Sequence, residues 1–240
     1  MCTVTYMPKA NNTFILTSNR DEAVGRVTLA PSFYAIDDVK MLFPKDALAG
    51  GSWIGISERN RLICLLNGGY EKHVRVDTYR MSRGVVVKEL LKAEDVFKAM
   101  EAFDFTNIEP FTIVAVDWNI HLRAVELVWD GKEAHITPLD DSPRIWSSST
   151  LYDTEMKAKR QAWFAEFGKT TNWEAGDLLR FHTTVGDGDK AVDLRMDRGL
   201  LKTVSTTQVE KTIYDCTMTY HDFQKEAVYQ TTFDLVTFEV

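Results

Sequence analysis

Two runs rich in β-branched and aromatic residues, 2–7 (CTVTYM) and 13–18 (TFILTS), flank the turn-forming segment Pro8-Lys9-Ala10-Asn11-Asn12. That pattern predicts a β-hairpin, and a sheet begun this way must have its apolar face covered by later segments. If the hairpin turns about residue 10, pairing partners sum to roughly 20, setting Tyr6 near Phe14, Val4 near Leu16 and Cys2 near Ser18. A second hairpin is predicted from Trp53-Ile54-Gly55-Ile56 and Leu62-Ile63-Cys64-Leu65-Leu66 around the polar turn Ser57-Glu58-Arg59-Asn60. Between the hairpins, residues 22–50 contain Pro31 and Pro44 and read as a long loop with local structure.

Helices are predicted over 82–92, with Ser82 as N-cap, and over 94–103. Strands return at Phe111–Asp117, Leu122–Trp129 and Glu133–Thr137, with Asp117-Trp118-Asn119 and Asp130-Gly131-Lys132 as turns. Over 152–167, Tyr152, Met156, Trp163, Phe164 and Phe167 form a stripe of helical period, and Thr150-x-x-Asp153 resembles a capping box. A helix at 173–181 leads into a loop from His182 to Asp189, and strands follow at 202–209, 212–220 and 228–238. With no repeat or linker, the order predicts one α+β domain over 1–240, built of layered sheets covered by helices.

Composition narrows the function. The chain carries 28 Lys plus Arg against 35 Asp plus Glu, a net charge of −7, which argues against a broad nucleic-acid surface. No apolar stretch approaches the roughly 18 residues of a membrane span, and the first ten residues lack a basic leader, so the expected location is cytoplasmic, with no membrane span. Three cysteines, Cys2, Cys64 and Cys216, are too few and too scattered for a disulfide framework or a zinc site. Asp187-Gly188-Asp189 with Asp193 resembles the start of a calcium loop, but Ala191 occupies a ligand position and Arg198 stands where the closing glutamate belongs. His182 and His221 lack metal-ligand spacing. No metal and no cofactor are therefore expected, and Cys64 and Cys216 read as core residues.

Cys2 is different. Removal of the initiator methionine would give it a free α-amine, with an ordinary pKa near 7.7–8.0 beside a thiol near 8.5, so the amine can accept the thiol proton. The predicted hairpin brings Asn19-Arg20-Asp21-Glu22 beside it. There Arg20 would favour the thiolate and orient an acyl group, Asp21 would hold the amine, and Asn67 would offer an oxyanion donor. The same four residues also fit a polar turn with surface ion pairs. Asp21 and Glu22 do not suit a glycosidase pair, since neighbours on a strand point to opposite faces.

Met1-Cys2-Thr3, Thr17-Ser18-Asn19-Arg20-Asp21-Glu22, Gly50-Gly51-Ser52-Trp53-Ile54-Gly55, Leu66-Asn67 and Ser82-Arg83-Gly84 closely resemble, in order, the NRDE family, also called the transport-and-Golgi-organisation type 2 family. The resemblance places the chain near the N-terminal nucleophile cysteine acylases, among them penicillin V acylase and bile salt hydrolase. It implies an αββα sandwich of two mainly antiparallel sheets between helical layers. By the same resemblance Cys2 is the nucleophile, Arg20 and Asp21 line the site, and Asn67 contributes to the oxyanion hole. Where many members have Ser-Asn before a Leu-x-Asp-Thr-like segment, this chain has Ser149, whose hydroxyl is the shorter donor. Lys202 is a candidate for the acylases' late arginine. Asn19, Trp53 and Trp146 are the candidates for substrate contact.

The leading expectation is an amidohydrolase acting on a linear amide. The alternatives are a non-catalytic binding or trafficking protein for a small hydrophobic ligand such as haem, and a domain whose ancestral site is now structural. The sequence specifies neither substrate nor oligomeric state.

Overall fold

The computed structural model describes residues 3–233; the candidate nucleophile Cys2 lies outside them. Four strands open the chain, β1 (Thr3–Lys9), β2 (Thr13–Ala23), β3 (Thr28–Ile36) and β4 (Val39–Asp46), followed by β5 (Ile54–Ser57) and β6 (Arg61–Asn67). Helices α1 (Arg83–Lys92) and α2 (Val96–Ala102) precede β7 (Phe111–Asp117), β8 (Arg123–Trp129), β9 (Ala134–Pro138) and β10 (Arg144–Ser147). Helices α3 (Thr154–Gly168) and α4 (Ala175–Thr184) then lead to β11 (Leu201–Lys211), β12 (Cys216–Asp222) and β13 (Ala227–Phe233).

The strands form two antiparallel sheets, one in the order β10-β1-β2-β11-β12-β13 and the other running from β3 to β9 in sequence order. Three apolar clusters define the layers. Val4, Leu16, Val209 and Met218 of the first sheet meet Ile54, Leu62, Cys64 and Val114 of the second. On the outer face of the second sheet, Met41, Ile63, Leu65 and Ile113 pack against Val86, Val87, Leu90 and Leu91 of α1 and Met100 of α2. On the outer face of the first, Met7 and Ile15 pack against Phe164 of α3 and Leu178 and Phe181 of α4. Alternation along each strand sends neighbouring residues to different clusters, which is what a sheet covered on both faces requires. The fold is α+β, with two antiparallel sheets between helical layers, as the sequence predicts. Among the described residues no helix is long and apolar enough to cross a membrane.

Local chemistry explains the departures. In the first hairpin Tyr6 faces Leu16 and Val4 faces Ser18, two positions from the expected register. The turn is shorter than Pro8 suggests, because Asn11 and Asn12 take left-handed φ values of 59° and 57° and strand pairing continues to Lys9 and Thr13. A shift of two leaves each side chain on its predicted face. The expected long loop at 22–50 contains the hairpin of β3 and β4, turned by Asp37 and Asp38 at φ 49° and 62°. Pro31 and Pro44 both fall in the irregular stretch between the Leu29–Lys45 and Ser32–Phe43 pairs, where a missing N–H costs no ladder bond. The last predicted loop is partly helix, since α4 continues through His182 to Thr184.

Arg61 joins layers. Wholly buried, it donates to the carbonyl of Leu90 in the last turn of α1 and to those of Ala93 and Glu94 just past its end, satisfying helix acceptors that would otherwise be orphaned.

Candidate active site

Strand β2 divides its polar residues between two compartments. Arg20 points toward the second sheet, whereas Asn19 and Asp21 point toward the helices of the first. All three are 2% exposed or less, so each must find partners or carry a desolvation cost.

Arg20 finds Asp46 at the end of β4. Its Nη2 lies 2.7 Å from Asp46 Oδ2 and its Nη1 donates to Thr28 Oγ1 at 2.6 Å, while the guanidinium sits 4.4 Å over the Trp53 ring. Arg26 Nε shares Asp46 Oδ2 at 2.6 Å, and Asp46 Oδ1 accepts from the N–H groups of Leu48 and Ala49. Burial pushes the Asp46 carboxyl up, but the bonds from Arg26 and Ala49 and the charge of Arg20 outweigh it and hold the group below its ordinary value. Burial lowers the Arg20 pKa against the opposing pull of Glu22 and Asp46.

These residues form one wall of a cleft of about 550 Å³. Trp53 and Asn67 line it from the second sheet, and Ser82, Arg83 and Gly84 bring the start of α1 to it. The helix comes this close because Gly84 and Gly51 meet backbone to backbone: a Cβ on Gly84 would stand 3.0 Å from Gly51 Cα and from Ser52 N and O. Arg83 ion-pairs with Glu109 at 3.1 Å. The cleft thus carries several charged side chains, among them Arg20, Arg26 and Arg83, each paired with a carboxylate.

On the other face of β2, Asp21 accepts two hydroxyls. Tyr152 Oη donates to Oδ2 at 2.6 Å and Thr203 Oγ1 to Oδ1 at 2.5 Å. Thr203 is set there by a bulge in β11, whose register slips between the Thr203–Asp21 and Ser205–Arg20 pairs. Asn19 donates to the carbonyls of His182 and Leu194 and accepts from Thr206 Oγ1 at 2.7 Å. Its amide is therefore bonded into the scaffold, fastening α4 to the sheet.

Asn67 ends β6, and its carbonyl accepts from Ser148 Oγ at 2.7 Å. Ser149 follows on the same loop, donating to the Gly69 carbonyl at 2.8 Å. Gly68 makes this contact possible, because at φ +86° a Cβ there would lie 2.2 Å from Ser149 Oγ. Ser149 and Trp146 line a separate hollow of about 150 Å³ rather than the cleft, with the Trp146 indole donating to Glu126 at 2.7 Å. Lys202 ion-pairs with Asp197 at 2.9 Å and lines a third hollow, beside the end of α4.

The cleft therefore gathers Arg20, Trp53 and Asn67; Asp21 and Asn19 lie behind it on the helical side of β2, and Ser149 and Trp146 beside it. Sequence reading misses Asp46, Tyr152 and Thr203. Asp46 lies 26 positions from its partner Arg20, Tyr152 is absorbed into an apparent apolar stripe, and Thr203 resembles any strand threonine. Asp193, from the apparent calcium loop, accepts the N–H groups of Asp187 and Gly188 and so caps its own loop.

Solved structures of similar fold include two hydrolases and an acylase. An N-acylethanolamine-hydrolysing acid amidase orthologue from Caenorhabditis elegans aligns with a TM-score of 0.62 at 15% identity, over 86% of this chain and 92% of that one. An arginine-to-leucine variant of conjugated bile acid hydrolase from Clostridium perfringens gives 0.55 at 10% identity, over 97% and 92%. Penicillin V acylase from Agrobacterium tumefaciens gives 0.53 at 11% identity, over 95% and 85%. These likenesses show a shared fold. No curated protein sequence matches the chain. The sequence model of one family matches residues 1–230, and the chain accordingly belongs to the Transport and Golgi organisation 2 family.

Proposed function

We propose that this protein is an N-terminal cysteine amidohydrolase acting on a linear amide, with Cys2 as nucleophile once Met1 has been removed. One observation carries the reading: Thr3, the residue after Cys2, pairs with Asn19, the residue before Arg20 and Asp21. Thr3 thus stands opposite a strand that buries a guanidinium on one face and a carboxylate on the other. The acylase-like fold supports the same reading.

In the proposed reaction the α-amine of Cys2 takes the thiol proton and the thiolate attacks the amide carbonyl, forming a C–S bond. Asn67 stabilises the oxyanion, with Ser149 as a second donor if its loop reorients. As the C–N bond breaks, the leaving amine takes the proton from the α-ammonium. Water then attacks the thioester, releasing a carboxylic acid and restoring the thiol. Arg20 orients the substrate from the cleft wall, and Asp21 holds the α-amine. The paired charges of the cleft suit a substrate with a polar portion better than a haem-sized hydrophobic ligand.

The test is intact-mass analysis of protein made in its own host, followed by reaction with an acylating β-lactone probe. Loss of Met1 and probe mass on Cys2, absent in Cys2→Ser, support the proposal. Complete retention of Met1, or labelling indifferent to the substitution, overturns it.

A further inference from the structure

We infer that Tyr152 is a positioning residue for the site, acting through Asp21; this inference rests on the amidohydrolase reading and deepens it. Asp21 accepts from Tyr152 Oη at 2.6 Å and from Thr203 Oγ1 at 2.5 Å, in the range of charge-assisted O–H···O⁻ bonds. One hydroxyl on each oxygen fixes the plane of the carboxylate, and so the direction in which it meets the α-amine of the nucleophile.

Tyr152 is itself held to an unusual degree. It is 1% exposed, its N–H donates to the Ser148 carbonyl at 3.0 Å, and two guanidinium groups attend its ring, Arg160 at 3.6 Å and Arg198 at 5.3 Å from the centroid. Neither arginine is an incidental neighbour. Arg160 is fully buried and donates to the carbonyls of Val192 and Asp193 and to Thr3 Oγ1. Arg198 donates to the carbonyls of Leu151 and Ala191. The segment from Ala191 to Asp193 therefore anchors both cations, and through Arg160 the same assembly reaches Thr3, the residue after the proposed nucleophile. The two guanidinium groups and the backbone bond hold the ring in place.

The geometry also separates this role from helix formation. Tyr152 precedes the N-cap of α3, which is Asp153 accepting from the Met156 N–H, so its aromatic ring is not part of the helical stripe that the sequence suggests. Ser148 Oγ bonds to the Asn67 carbonyl, so the loop that carries Tyr152 also touches the proposed oxyanion donor. Side chains that set the orientation of a reacting group without touching substrate act in this way.

The experiment is a double-mutant cycle on the rate of Cys2 acylation by the β-lactone probe in the full-length processed protein. Tyr152→Phe keeps the ring beside both arginines and removes only the hydroxyl; it is expected to slow labelling at saturating probe about 10-fold while leaving the half-saturating concentration unchanged. Asp21→Asn is expected to slow it further, and Tyr152→Phe on that background to add nothing, because the hydroxyl acts through Asp21. Thr203→Ser should label at close to the parent rate and Thr203→Val more slowly. Equal labelling of Tyr152→Phe and the parent, or a full 10-fold effect persisting beside Asp21→Asn, overturns the inference while leaving the amidohydrolase reading in place. A parent protein that is processed but never labelled at Cys2 overturns both. Melting curves of Tyr152→Phe matching the parent separate a rate effect from loss of fold.

Discussion

Arg20 and Asp46, 2.7 Å apart, join the two sheets at the mouth of the cleft. One stands near the end of β2 in the first sheet, the other at the end of β4 in the second, and the Asp46 carboxylate also holds Arg26 and the N–H groups of Leu48 and Ala49. A buried pair of this kind contributes little over an apolar replacement, but losing Asp46 leaves the buried Arg20 guanidinium with only Glu22, 3.8 Å away, opposite it.

Asp46→Asn should accordingly lower the unfolding free energy by about 3–5 kcal/mol, because Arg20 is 2% exposed. Adding Arg20→Met should recover part of the loss. Urea denaturation of the single and double variants measures both, and an Asp46→Asn protein as stable as the parent would contradict the assignment.

Gly68→Ala should destabilise strongly. Its positive φ alone is worth roughly 1 kcal/mol, and the added Cβ would collide with Ser149 Oγ at 2.2 Å. We expect a total cost of about 2–4 kcal/mol, relieved in part by Ser149→Gly. A shift of the urea midpoint in the single variant and partial return in the double would verify that the two loops meet here.

His182 supplies a pH dependence. It is fully buried beside Thr5 Oγ1 at 2.8 Å, and burial, with the Arg160 charge adding to it, pushes its pKa down to about 3. The unfolded chain binds this proton near pH 6.5, so the stabilising contribution is complete above that value and declines as pH falls from about 6.5 toward 3. This one group contributes a slope of up to about 1.4 kcal/mol per pH unit. In His182→Gln the acid arm of a stability–pH profile should flatten over that interval, and an unchanged slope would assign the arm to other groups.

Cys64 and Cys216 should be silent toward alkylation in the folded protein. Both are fully buried, and burial pushes each thiol up to about 12, leaving almost no thiolate at neutral pH. Brief iodoacetamide treatment followed by peptide mass mapping should modify neither until denaturant is added.

The architecture is legible in the sequence because its signals are local. Nearly continuous apolar runs such as Leu62–Leu66 and Phe111–Asp117 supply both faces of a strand with residues to bury, and a layered fold follows. The β3–β4 hairpin is concealed by Pro31 and Pro44, which count against a strand until the irregular pairing around both is seen. For the site, the segment from Asn19 to Glu22 announces a concentration of buried polar groups but not their destinations. Arg20 meets Asp46 and Asp21 meets Tyr152 and Thr203 only through contacts between distant segments. Tyr152 is the instructive case, since its spacing fits an apolar helical stripe while its hydroxyl bonds a buried carboxylate. Periodicity reports which face a residue occupies, not what its polar atom touches there.

The division of β2 into two compartments restricts how this chain can change over time. Substitutions at Arg20 or Asp21 alter one compartment each, but deletion of a single residue from the stretch Thr13–Asn19 would advance the strand by one and exchange them, sending the guanidinium under α3 and the carboxylate into the cleft. Insertions and deletions should therefore accumulate in the surrounding turns and bypass that stretch, making its length, as much as its composition, a signature by which descendants of this sequence can be recognised.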